Sequence, residues 1–268
     1  MSLRSAIVAA AAISLAPVLP AFAQSGKAGP ETPGMVTPGP MEMSDQERLD
    51  FRAEVRAYLM DNPEVLMEAI AILEQRQEEA KAQADLALVA ANMGLLLDDG
   101  HSFVGGNPDG DITLVEFMDY RCTFCRRAFP EVEALLNQDG NIRFVVKEFP
   151  ILGPQSDISA RFALSVQALY GDEVYKDVHD ALVQLQTDAT PETLARLAEG
   201  FDLDAEAIEA GMGTPEVNRI LDANRALGDA LRITGTPTFV IGGRMVRGYV
   251  QLDQMQQIVA QERDAAAG

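Results

Sequence analysis

The chain has 268 residues, 47% of them hydrophobic, enough to bury one sizeable core with length left over for an appendage. Its 21 Lys plus Arg stand against 41 Asp plus Glu, for a formal charge of −20. That charge opposes a phosphate backbone or an anionic membrane face and sets nucleic acid aside as a partner.

In chain order, "MSLRSAIVAAAAISLAPVLPAFAQ" places Arg4 before an apolar run and ends it on Ala21-Phe22-Ala23. Small residues beside the cut and an early break at Pro17 and Pro20 describe an export signal cleaved after Ala23, residues 1–23, rather than a membrane anchor. A soluble periplasmic protein is the expectation, in a compartment that permits disulfides. Residues 24–43 are rich in Pro, Gly and Thr and have too few large apolar side chains to hold a core, as in a flexible linker.

Residues 44–97 read as a helical extension. Ser44 with Glu47 three positions on forms a capping signal, and Asn62-Pro63 predicts a second helix start. Leu59, Leu66, Ile70 and Leu73 share one face at spacings of seven, four and three, as a partner helix requires. The register continues through Gln77, Ala80, Ala84 and Ala87, so the seam is short: a homo-oligomer through residues 44–97 and a helix packed on its own domain both fit.

From Asp111 the pattern changes. "DITLVEFM" is a central strand by its unbroken apolar run, in which Glu116 is out of place. "CRRAFPEVEALLNQ" is an amphipathic helix with Pro130 as a kink point, Gly140 ends it, and "NIRFVVKEF" is a second strand, parallel to the first across a right-handed crossover. About 156–228 carries helical patterns throughout. Gly242-Gly243 then predicts a hairpin in "TFVIGGRMVRGY", before a last helix.

The only two cysteines, Cys122 and Cys125, stand three positions apart where the first strand gives way to helix. Structural zinc requires about four ligands, and neither a second cysteine pair nor a His pair is available. As a staple so small a loop yields only about 2 kcal/mol before strain. Transient copper(I) binding by two thiolates remains chemically open. The redox reading uses the whole context: a helix N-terminus favours thiolate at Cys122, the exposed nucleophile, and one turn on, Cys125 is buried and resolves mixed disulfides.

With "TLVEFMDYRCTFC", "FVVKEFPILGPQS" and "GTPTFVIGG" in this order, the chain resembles the DsbA-like thiol-disulfide oxidoreductases of the thioredoxin superfamily, over about Asp111 to Gln257. The resemblance implies an α/β thioredoxin fold over 98–268 with an inserted helical subdomain and an N-terminal helical extension. It implies protein disulfide exchange as oxidase or isomerase, without an organic cofactor. Exported substrates with cysteines and a membrane redox partner of either direction follow from it. Thr236-Pro237 would be the substrate-binding cis-proline loop and Glu116 a proton relay for Cys125. Thr123-Phe124 departs from the Pro-His of the strongest oxidases, which implies a weaker oxidant. Thr236 and the residues before the domain resemble the ScsC-like and Com1-like branch. The alternatives are a copper(I)-handling protein, or a surface-binding protein that keeps the fold as a scaffold.

Overall fold

The computed structural model describes residues 43–267. The expected export signal and most of the linker lie outside the described residues. The chain divides after Pro63 into two compact units. In the first, α1 (Asp45–Asp61) begins at the predicted cap: Ser44 Oγ accepts from Glu47 N while Ser44 N donates to Glu47. No residue of α1 is buried. Asn62, expected to start the next helix, instead closes this one, because its backbone N–H and its side-chain Nδ2 both donate to Tyr58 O (2.8 and 2.9 Å).

The second unit opens with α2 (Glu64–Leu97), whose 34 residues change character along their length. Leu66, Met67, Ile70, Ile72 and Leu73 are about half exposed or more, whereas Val89 and Leu96 are buried. The C-terminal part is tied to the sheet by Arg247 to Asp85, by Arg143 to Leu97 O (2.8 Å) and by Lys147 to Leu95 O (2.8 Å).

The sheet contains β1 (Phe103–Gly106), β2 (Ile112–Met118), β3 (Ile142–Glu148), β4 (Thr238–Ile241) and β5 (Arg244–Arg247), in the order β1-β3-β2-β4-β5. Strands β2 and β3 pair in parallel from Ile112↔Ile142 to Met118↔Glu148, and α3 (Thr123–Asp139) is the crossover, running as one helix through Pro130. The remaining pairs are antiparallel. The β4–β5 hairpin turns at Gly242, whose φ of 58° suits a residue without Cβ. Strand β1 had no sequence signal: four residues ending in two glycines show no period.

Alternation along β2 and β3 divides the core. Leu114, Met118, Phe144 and Val146 face α3 and most of the helical subdomain; Val115, Phe117 and Val145 face α2 and the last subdomain helix. The subdomain comprises α4 (Pro154–Tyr170), α5 (Asp172–Val183), α6 (Pro191–Gly200), α7 (Ala205–Gly211) and α8 (Pro215–Ala230), one helix for each expected pattern. Helix α9 (Leu252–Ala267) ends the fold. Among the described residues no helix is long and apolar enough to cross a membrane.

Candidate functional site

Buried strand β2 ends at Met118, and a turn then carries the chain into α3. Asp119, 1% exposed, builds that turn: its Oδ1 accepts from Arg121 N (2.8 Å) and its carbonyl from Cys122 N (3.0 Å). Its Oδ2 accepts from Ile151 N (2.8 Å) and Leu152 N (3.1 Å), which clips the turn to the loop after β3. Cys122 is thereby set at the N-cap of α3, with extended backbone (φ −76°, ψ 117°) and no side-chain cap bond.

Both sulfurs are free thiols. Cys122, expected to be the exposed one, retains only 6% exposure against 2% for Cys125. The reason is the loop across from it: Cys122 Sγ lies 3.1 Å from Thr236 O and, as a thiol, donates to that carbonyl. The Thr236-Pro237 bond is cis. Thr236 Oγ1 is buried without a partner, so it is the hydroxyl placed to donate once the sulfur is a thiolate.

The two thiols are unlike electrostatically. Cys122 is held down to about 5, first by the Cys125 thiol, against its burial, and then by Thr236 and the N–H groups of Cys125 and Phe124 at the helix start. Cys125 is pushed far up, first by burial, then by its bond to Cys122 and the charge of Glu116. A proton in this site therefore rests on Cys125, and the negative charge on Cys122. The Thr123-Phe124 dipeptide contributes no side-chain charge. One cation near the pair is Arg126, one turn on, whose Nε donates to Tyr120 O (2.9 Å) and whose charge interacts with that of Cys122.

Glu116 lies in mid-strand beneath this pair, 6% exposed. Burial pushes it up to about 8, and the charges of Cys122, Glu133 and Glu148 push the same way. Pairing with Lys147 does not occur: Lys147 is directly opposite Phe117 in the register, on the other face, where Asp99 receives it. The fold thus brings together Cys122, Cys125, Glu116 and Thr236-Pro237. Asp119, Arg126, Tyr120 and Glu148 had not been singled out. Glu148 carried the same signal as Glu116, a carboxylate in an apolar strand.

Among the described residues no group of three or more His, Cys, Asp or Glu side chains is arranged to hold a metal. His101 pairs with Asp99 (3.3 Å), and His179 is buried against Tyr120 (2.9 Å).

Residues 113–260 match the model of the DSBA-like thioredoxin domain. The chain belongs to the DsbA-like thioredoxin family. Its members are thiol-disulfide oxidoreductases, and the fold and the helical region before it agree with that membership. Residues 47–80 match a second model, the copper resistance protein ScsC N-terminal domain. A thioredoxin-like oxidoreductase from Silicibacter pomeroyi is 38% identical, with a TM-score of 0.61, over 64% of this chain and 97% of that one. BcfH from Salmonella enterica Typhimurium is 28% identical, with a TM-score of 0.68, over 80% and 96%. A curated relative, a Na(+)/H(+) antiporter NhaA from Salinispora tropica, is 27% identical over 67% of this chain. The chain spans only 28% of that antiporter's length, and transport does not carry over with so partial a match.

Proposed function

We propose that this DsbA-like protein exchanges disulfides with exported proteins in the periplasm, as an oxidase or isomerase. The reading rests on one observation: the Cys122 sulfur at a helix N-terminus touches the cis-proline loop, while the Cys125 sulfur sits buried one turn behind it. In the oxidised form a substrate thiolate attacks Cys122 Sγ, breaking the Cys122–Cys125 bond. Cys125 leaves and takes a proton, which Glu116, holding one up to about pH 8, is placed to supply. A second substrate thiolate then attacks the mixed disulfide and expels Cys122 as thiolate, so two electrons pass to the enzyme and the substrate gains a disulfide. Run backwards on a wrong disulfide, the same steps begin isomerisation. Thr236 and Pro237 hold the extended substrate segment beside Cys122.

A Cys122 near 5 lies between thioredoxin, about 7, and the strongest oxidase, about 3.5, so the couple is expected between their potentials, about −270 and −120 mV. A membrane redox partner recharges it, and no organic cofactor takes part. Residues 44–97 act as an oligomerising arm, supported by the absence of any buried residue in α1 and the exposed apolar residues of early α2. The test is rescue of scrambled substrate and oxidation of reduced substrate by the mature chain, by Cys122→Ser and by a chain starting at Gln77, which removes Leu59 to Leu73 but keeps the core-packed end of α2, with the solution mass of each. Loss of both activities in Cys122→Ser is expected. An unimpaired Cys122→Ser protein refutes the proposal and favours the surface-binding reading. A reduced chain that binds copper(I) but exchanges nothing favours the copper reading, which the two thiols and the ScsC match keep in view.

A further inference from the structure

A buried cluster next to the thiols is left unused by the exchange steps. Glu148 ends β3 and is 2% exposed. Its Oε1 accepts from Tyr120 OH (2.6 Å) and from Tyr175 OH (2.7 Å), and its carbonyl accepts from Asn224 Nδ2 (3.0 Å). Its Oε2 is buried with no partner. Tyr120 OH also lies 2.9 Å from His179 Nδ1, and with the phenol proton already given to Glu148, the imidazole is the donor of that bond. The His179 ring stacks on Tyr175 at 5.7 Å. The cluster therefore joins β3, the turn before Cys122 and helix α5 of the subdomain.

A cluster that only fastened α5 to the sheet would not need Tyr120. Tyr120 stands two residues before Cys122, with its side chain gripped from below and its carbonyl taken by Arg126 Nε. We propose that Glu148 is a positioning residue for Cys122: one carboxyl oxygen, holding Tyr120 and Tyr175 at once, fixes the Tyr120 carbonyl and, through it, the guanidinium of Arg126, one helical turn beyond the nucleophile. The inference rests on the exchange reading of the site and deepens it, adding a cation to the helix-start N–H groups and Thr236 that already favour the thiolate.

The charge state of Glu148 agrees with this geometry. Burial pushes it up to about 8, its bonds to Tyr120 and Tyr175 pull the other way, and Asp119 adds to the rise. The titratable groups facing it are Asp119 and Tyr120 from the turn, Glu116 from β2, and Tyr175 with His179 from α5. His179 is held neutral by burial and by Lys176. At neutral pH Glu148 is thus an uncharged hub, which a glutamine can imitate.

The experiment is the rate of Cys122 alkylation by iodoacetamide against pH in the reduced full-length chain, together with its thiol-disulfide equilibrium against glutathione. Tyr120→Phe and Glu148→Leu should each slow alkylation at pH 5 by about three- to tenfold and make the pair more reducing by a similar factor. Glu148→Gln should stay within about twofold of the unaltered chain, and Tyr120→Phe should add nothing to Arg126→Met. Folded Tyr120→Phe and Glu148→Leu proteins with the original profile overturn the proposal. If Glu148→Leu fails to fold, Tyr120→Phe decides alone, since it removes a single oxygen. Two equally slow thiols in the unaltered chain would refute the exchange reading and this inference with it. One fast thiol there, with unchanged variants, would refute only the role of Glu148.

Discussion

The two faces of the central sheet each bury ionisable side chains, and they treat them in opposite ways. On the α2 face, Lys147 is fully buried but matched: its ammonium donates to Asp99 and to Leu95 O, and Asp99 accepts in turn from Ser102 N, Ser102 Oγ and His101 N. On the α3 face, Glu116 and Glu148 are buried with no cation paired to either among the described residues, and burial keeps both acids protonated well into the neutral range. A matched charge is scaffold, since neither partner gains by changing its proton. An unmatched acid is a titrating group, and it lies on the face that carries the sulfurs.

The comparison breaks most visibly at Lys147. Lys147→Met strands the Asp99 carboxylate and should cost about 3 kcal/mol or more in urea unfolding at pH 7, while leaving the Cys122 alkylation profile in place. The cost should shrink in acid. Asp99 is held well below the ordinary carboxylate range by Lys147 and by the N–H groups of Ser102 and His101, outweighing its burial, so the stability it supplies is present above about pH 4 and lost as pH falls below that.

Glu116→Gln should do the reverse and stabilise the protein. The folded carboxyl titrates near 8 against 4.5 ordinarily, so its contribution is intact below pH 4.5 and is lost as pH rises through 8. The variant's advantage should therefore widen from pH 4.5 to 8, reaching on the order of 2 kcal/mol, as melting temperatures across that range will show. Exchange should slow in the same variant, for want of the proton Cys125 takes. An advantage that does not vary with pH would mean that Glu116 is ionised and matched after all.

Smaller still, Thr236→Val removes a hydroxyl that favours the Cys122 thiolate and should raise that thiol, making alkylation near pH 5 about fivefold slower. Least affected should be Arg219→Ala, which opens an exposed pair with Glu216 and should leave the melting temperature unchanged within error.

The thiol pair was legible because its chemistry depends on local order: a strand, a turn and a helix start in succession place one sulfur among free N–H groups, whereas the proline loop was legible only through the resemblance to the DsbA-like family. The parallel β2–β3 pair was legible from two unbroken apolar runs on either side of a helix, and the inserted helices from their periods. Three features were not. Strand β1 has too little side chain to show a period. The covering of Cys122 by Thr236, 114 positions away in the chain, is a tertiary contact that no spacing announces. Glu148 is separated in sequence from its partners Tyr120, Tyr175 and Asn224, so an acid in an apolar strand could be noticed but not partnered. Asn62 misled for a different reason: a residue between two helices can serve either, and its side chain bonds backward to Tyr58.

The anchoring of α2 gives the molecule a ruler. From Asp85, where Arg247 grips the helix, back to Leu66 is 19 residues, about 28 Å at the usual rise. Whatever engages the apolar stretch from Leu66 to Leu73 would be held at that stand-off from the hairpin by one continuous helix. Bound copies would therefore frame a gap of set width, and the girth of a folded client, as much as its sequence, would decide whether its cysteines can enter.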